Sequence, residues 1–211
     1  MKRVVCILLC ACLFGAVAAQ VMPARINRTT VYETFRPATI IMDNGRTLSQ
    51  KEANIFLKNS SLVYKSFGNI MEADIDQIRS VRFSDRCYVK FNESLACVID
   101  TLGNDKLLCV TQIDIDAYKN QLLNERQITN LELREFVNVN ATGLSDEEIR
   151  NYPLVNQYYF EIDNKIIKVQ ERTVKRYVPK ENMRLYKSLL RSAGFSWDNP
   201  ESLMSVLKLI N

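Results

Sequence analysis

The chain has 211 residues, with 28 Lys and Arg against 24 Asp and Glu and no histidine at all. The missing imidazole excludes a Ser-His-Asp triad, a Cys-His pair and every histidine metal site as ordinarily built. An apolar content of 47 % with six Gly and five Pro argues against a disordered or fibrous chain. It fits one globular unit, or two small lobes sharing a core.

The first element is an export signal. Lys2 and Arg3 precede an apolar stretch over 4–14, and Gly15, Ala16, Val17, Ala18 and Ala19 are small enough for a signal peptidase. Cleavage is expected after Ala18 or Ala19; the latter is preferred, making 1–19 the signal peptide and Gln20 the first mature residue. Two other readings stand beside it. An uncleaved anchor needs ~20 apolar residues to span a bilayer, and the uncharged run here ends after sixteen. A lipoprotein acylated at Cys12 needs a very short apolar region. Loss of Lys2 and Arg3 leaves 26 basic against 24 acidic side chains. With no further apolar run of membrane length, the mature chain reads as exported, periplasmic or extracellular, and not transmembrane. Nucleic acid is a poor partner for a protein in that setting.

Residues 20–32 read as an extended start. A β-rich lobe then spans 33–123, built of short strands between turn signals. Thr39-Ile40-Ile41-Met42 runs into Asp43-Asn44-Gly45, a tight-hairpin signature. Residues 54–57 and 62–65 follow, with a turn at Phe67-Gly68-Asn69. Val81-Arg82-Phe83 and Cys87-Tyr88-Val89-Lys90-Phe91 alternate with period two, so each has one buried face. Residues 95–99 and 107–110 are apolar on both faces and join across Gly103-Asn104-Asp105. A helix is expected from Asp114 or Asp116 through Tyr118 and Leu122. Residues 124–152 read as a connector, with a short helix opened by Ser145-Asp146-Glu147-Glu148.

The last lobe, 153–211, is a hairpin and two helices. Tyr158-Tyr159-Phe160-Glu161-Ile162 turns at Asp163-Asn164 into Ile166-Ile167-Lys168-Val169. Pro179 opens a helix with Met183, Tyr186, Leu189, Leu190 and Ala193 on one face and Gly194 to end it. Asn199-Pro200 opens a second, with Leu203, Val206, Leu207 and Ile210 inward, and Phe195 and Trp197 plug the corner. The fold class is α+β: an antiparallel β-meander or small barrel-like sheet, then a hairpin and two C-terminal helices.

Cys6, Cys10 and Cys12 leave with the signal; Cys87, Cys97 and Cys109 remain. A disulfide between Cys97 and Cys109 requires partner strands with the turn centred on Gly103, and a register shifted by one residue separates them. Buried free thiols are the favoured alternative. Spacings of ten and twelve residues do not suit zinc. No phosphate-binding loop, dinucleotide fingerprint or calcium loop is present. No cofactor, metal or catalytic residue is therefore expected. Ser205 and Lys208 match S-x-x-K without companion motifs. Asp74-Ile75-Asp76 and Asp114-Ile115-Asp116 read as caps at element boundaries rather than cation ligands.

Charge is the remaining pattern. Residues 165–191 hold nine basic side chains against Glu171 and Glu181. Arg172, Lys175, Arg176, Arg184, Lys187 and Arg191 are the candidate ligand-binding residues, the last three recurring on the helix face opposite the apolar stripe. Such a stripe suits an anionic envelope surface or an acidic protein partner; a solvated face that complements the more acidic remainder is the competing reading.

The segments FRPATIIMDNG, ANIFLKNSSLVYKS, IRSVRFSDRCYVKF and LLCVTQIDIDAYKNQLL, with the ending YYFEIDNKIIKVQ…GFSWDNPESLMSVLKLI, resemble a family of small exported proteins of Gram-negative bacteria. The resemblance implies a periplasmic or surface setting and carries over no activity or site. The expected function is a non-enzymatic binding protein of the cell envelope. The alternatives are a carboxylate-dependent hydrolase acting on glycans and a structural accessory subunit of an envelope complex.

Overall fold

The computed structural model describes residues 25–124 and 151–211. The expected signal segment 1–19, nearly all of the connector and the helix expected at Ser145 lie outside the described residues.

Strands form where β-branched and aromatic residues alternate with polar ones, and turn residues stop them. β1 (Arg25–Ile26) is a two-residue piece. β2 (Arg36–Met42) and β3 (Thr47–Phe56) flank a turn with Gly45 at φ 82°. β4 (Ser61–Ser66) and β5 (Asn69–Glu72) follow. A single 3-10 turn (Ile75–Gln77) leads into β6 (Ile78–Arg82) and β7 (Cys87–Phe91). β8 (Ser94–Leu102) and β9 (Asp105–Ile113) meet across a two-residue turn at 103–104. Of the two starts expected for helix α1 (Ile115–Asn124), Asp114 is the one used: its Oδ1 accepts the Ala117 N–H at 2.9 Å.

β10 (Tyr152–Ile162) is twice as long as the apolar run that announced it. Its lower half begins Tyr152-Pro153; proline lacks a donor but is tolerated at a strand's start. Asp163 and Asn164, both left-handed at φ 50° and 60°, turn it into β11 (Lys165–Lys168). Helices α2 (Glu171–Val174), α3 (Met183–Leu190) and α4 (Pro200–Ile210) complete the chain.

Every ladder is antiparallel, in the order β1-β10-β9-β8-β7-β6-β2-β3-β4-β5, with β11 also paired to β10. The β3–β4 turn folds over onto β8 and β9. There the Leu95 N–H donates to the Ser60 carbonyl at 2.8 Å, and the Ile113 N–H donates to the Leu57 carbonyl at 2.8 Å. The ladder nevertheless stops at β5, so strand pairing leaves the sheet open rather than closed into a barrel. The α+β class holds.

Two cores share the sheet. The first lies within the curl and includes Ile40, Ile55, Leu62, Val81, Tyr88, Leu95 and Tyr118. The second fills the space between β9–β11 and the helices, with Leu107, Phe160, Ile167, Val174, Tyr186, Leu203 and Leu207. α4 is built as its sequence predicts. The Asn199 Oδ1 accepts the Glu201 and Ser202 N–H groups at 2.8 and 3.2 Å, and Leu203, Val206 and Leu207 are fully buried. Phe195 and Trp197 meet edge to face at 5.1 Å.

α3 departs from expectation at both ends. It starts at Met183, four residues after Pro179, because Val178 is buried and the chain turns before the helix begins. Asn182 fixes that start by donating from Nδ2 to the Leu209 carbonyl of α4 at 2.9 Å. The helix ends at Leu190, where the Ser192 hydroxyl donates to the Leu189 carbonyl at 2.7 Å. Ala193 is exposed, and Gly194 is not among the left-handed residues.

Candidate functional site

The six basic residues singled out by the sequence are all exposed and fall into two groups. Arg172 lies on α2, and Lys175 and Arg176 lie on the turn after it. This stretch is pinned by Val174 and Val178, both buried in the second core, so the charged side chains between them project outward. With Glu171 and with Met183 at the start of α3, these three cations line a shallow cleft of about 720 Å³. Arg184, Lys187 and Arg191 lie on the side of α3 turned away from buried Tyr186, as the helical spacing requires.

The electrostatic setting distinguishes this lobe from the rest. The eight ion pairs among the described residues all fall within 36–161. Lys106 and Glu161 pair at 3.0 Å, and Lys90 pairs with Asp76 at 3.1 Å. The nine cations of 165–191 enter none of them. Glu171 stands beside Arg172 in the cleft without closing on it.

Tyr186, 1 % exposed, packs in the second core, and its hydroxyl has no hydrogen-bond partner among the described residues. Burial, and then the nearby Glu171 carboxylate, push its pKa up to about 12, so the phenol stays protonated. Sequence reasoning placed Met183 and Tyr186 on an inward stripe and missed both the cleft and α2. The usable signal was the pair Val174 and Val178, four residues apart inside a run of charges.

The other candidates resolve into structural roles. Asp74 caps the 3-10 turn through the Asp76 N–H at 3.0 Å, and Asp76 pairs with Lys90. Asp114 caps α1, and Asp116 lies 3.9 Å from Lys119. The Ser205 hydroxyl donates to the Glu201 carbonyl at 2.9 Å, one turn back along α4, rather than toward Lys208. Asp85 gathers the Tyr32 hydroxyl at 3.0 Å and the guanidinium groups of Arg36 and Arg86 at 3.4 and 3.9 Å, a cluster that fastens the β6–β7 turn to the segment before β2.

Cys97 and Cys109 are direct cross-strand partners on β8 and β9, and both are buried free thiols. One register line crosses five strands through Val81, Tyr88, Cys97, Cys109 and Tyr158. Hydrogen-bonded and open pairs alternate from the two-residue turn at 92–93, which makes Tyr88 and Cys97 an open pair. The peptide groups of Cys97 therefore point at β9, and Cys97 and Cys109 form a hydrogen-bonded pair. Such pairs hold their Cβ atoms about 5.5 Å apart, wider than the ~3.8 Å of a disulfide. Burial pushes the two thiols up to about 12 and about 11.

Comparisons with protein families, with curated proteins and with solved structures find no match to this chain.

Proposed function

We propose that the protein is an exported, non-enzymatic binding protein of the cell envelope. In this reading its basic C-terminal face engages an anionic envelope surface or an acidic protein partner. The observation that carries the reading is the unneutralised charge of 165–191, whereas Arg36, Lys65, Arg79, Lys90 and Lys106 on the preceding strands are each paired with a carboxylate. A protein that needed those charges only for solubility gains nothing from segregating them on one lobe, whereas an anion-seeking surface gains range and orientation. Catalysis has less support. The chain holds no histidine, and the described cleft carries one carboxylate, Glu171, where a glycan hydrolase sets two facing each other.

The test is retention of the purified mature protein on anionic and neutral supports across a salt series. Retention on the anionic support should fall steeply with salt, and the charge reversals Arg184→Glu and Lys187→Glu together should weaken it. Retention indifferent to salt and to those changes removes the reading. N-terminal sequencing of protein from the envelope fraction tests the export step: Gln20 at the first position supports it, and an intact Met1 refutes it.

A further inference from the structure

We propose that the cleft between α2 and α3 is a binding site for a phosphate monoester. Arg172, Arg176 and Lys175 hold the phosphoryl oxygens, and Met183 lies against the organic part. The inference rests on reading the basic face as anion-seeking and narrows it to one site and one chemical group.

Three observations converge on this cleft. The first is charge: three cations and one carboxylate line it, an excess of two positive charges. A phosphate monoester carries close to two negative charges near neutral pH, roughly −1.5 to −2, whereas a lone carboxylate carries one and leaves the excess unmet. The second is donor geometry. Arg172 and Arg176 are four residues apart on a stretch anchored at Val174 and Val178, so two planar guanidinium forks and one ammonium point into the same space. Guanidinium forks match phosphoryl oxygens two at a time. Because no ion pair occupies these forks, no internal partner has to be displaced when a ligand arrives. The third is room. The volume of about 720 Å³ exceeds what a bare phosphate fills and leaves room for the alcohol that carries it. Arg184, Lys187 and Arg191 stand outside the cleft and add attraction at longer range.

The group occurs on soluble phosphorylated metabolites and on lipids ending in a phosphate, and the experiment separates these sources. Glycerol 3-phosphate is titrated into the mature protein at fixed ionic strength while the Met183 methyl resonance is followed. Acetate serves as the single-charge control. Vesicles of phosphatidic acid and of phosphatidylcholine are sedimented with the same protein. A saturable Met183 shift with glycerol 3-phosphate and not with acetate is expected. Arg172→Ala with Arg176→Ala should weaken the affinity about tenfold or more, while Arg184→Glu with Lys187→Glu should cost about threefold or less. Sedimentation with phosphatidic acid, lost in the Arg172→Ala, Arg176→Ala protein, assigns the lipid source; a shift without sedimentation assigns the soluble one. Absence of a saturable shift and of phosphatidic acid sedimentation overturns the proposal. If salt-sensitive retention on polyglutamate beads persists in that case, the broader reading of the basic face stands without it. Loss of that retention as well removes both.

Discussion

Asn54 is fully buried on β3 at 0 % exposure, and every arm of its amide is engaged. Its Oδ1 accepts the Tyr32 N–H at 3.0 Å and the Ile55 N–H at 2.9 Å. Its Nδ2 donates to the Tyr32 carbonyl at 2.9 Å and, at the limit of a hydrogen bond, to the Thr34 carbonyl at 3.5 Å. One side chain thus replaces a strand partner for a segment that has no ladder of its own. Asn54→Ala leaves the two N–H groups without this acceptor and removes one of the two donors to the Tyr32 carbonyl, the Thr30 hydroxyl at 2.9 Å being the other. A buried group left without its partner costs about 1–3 kcal/mol. Tyr32 is half-buried, so water reaches part of the gap, and the low end of that range applies to each lost bond. The sum is about 3 kcal/mol. With a urea dependence of about 2 kcal/mol per molar for a protein of this size, the unfolding midpoint falls by about 1.5 M. Asn54→Asp is the informative companion, since it keeps both acceptances but sets a carboxylate oxygen against the Tyr32 carbonyl; it should be at least as damaging. Equilibrium urea unfolding followed by circular dichroism reads both. A midpoint shift under about 0.3 M for Asn54→Ala, with unchanged slope, would refute the assignment of Asn54 as the staple.

Phe67 occupies the β4–β5 turn at φ 48° with its ring wholly exposed. Phe67→Gly therefore removes left-handed strain without removing packing. It should stabilise the protein by about 1 kcal/mol, and a lower melting temperature would contradict this. The buried thiols set an alkaline limit. Folding holds Cys97 and Cys109 protonated up to about 12 and about 11, against about 8.5 in an unfolded chain. Their stabilising contribution is complete below about pH 8.5 and is lost as pH rises through the folded values. Urea midpoints between pH 7 and pH 10.5 should fall more steeply for the wild type than for Cys97→Ala with Cys109→Ala; parallel slopes would sink the claim. Alkylation of the native protein at pH 8 should modify Cys87 well before Cys97 and Cys109, and two further thiols reacting only in denaturant complete the expectation.

The parts of this fold that were legible in the sequence are those fixed by neighbours along the chain. The two-residue turn at 103–104 pairs Leu102 with Asp105 and Asp100 with Leu107 one to one, but a bulge at Ile99, which no neighbouring residue announces, then shifts the register so that Cys97 faces Cys109 rather than Val110. Asn199-Pro200 announces α4 through a side chain that caps its own next turn. Where distant residues decide, the sequence is silent. Four-residue α2 is too short to show a helical period, and the start of α3 depends on Asn182 reaching the far end of α4. The curl of the sheet depends on Ser60 meeting Leu95, thirty-five residues on. The charges of the candidate site were visible as a composition, but the cleft that gathers Arg172, Lys175 and Arg176 exists only once Val174 and Val178 have been buried.

β10 arrives late. The N–H and C=O groups along one side of β9 find their partners on a strand that begins at Tyr152, nearly forty residues after β9 ends. As the chain emerges from its amino end, the eight strands β2 to β9 can assemble while this margin stays bare, a template for any extended polypeptide nearby. Non-local pairing of this kind slows folding and lengthens that exposure. The interval before residue 162 docks is therefore when the protein is most vulnerable to aggregation, and a shielding chaperone would matter more then than after α4 has closed over the second core.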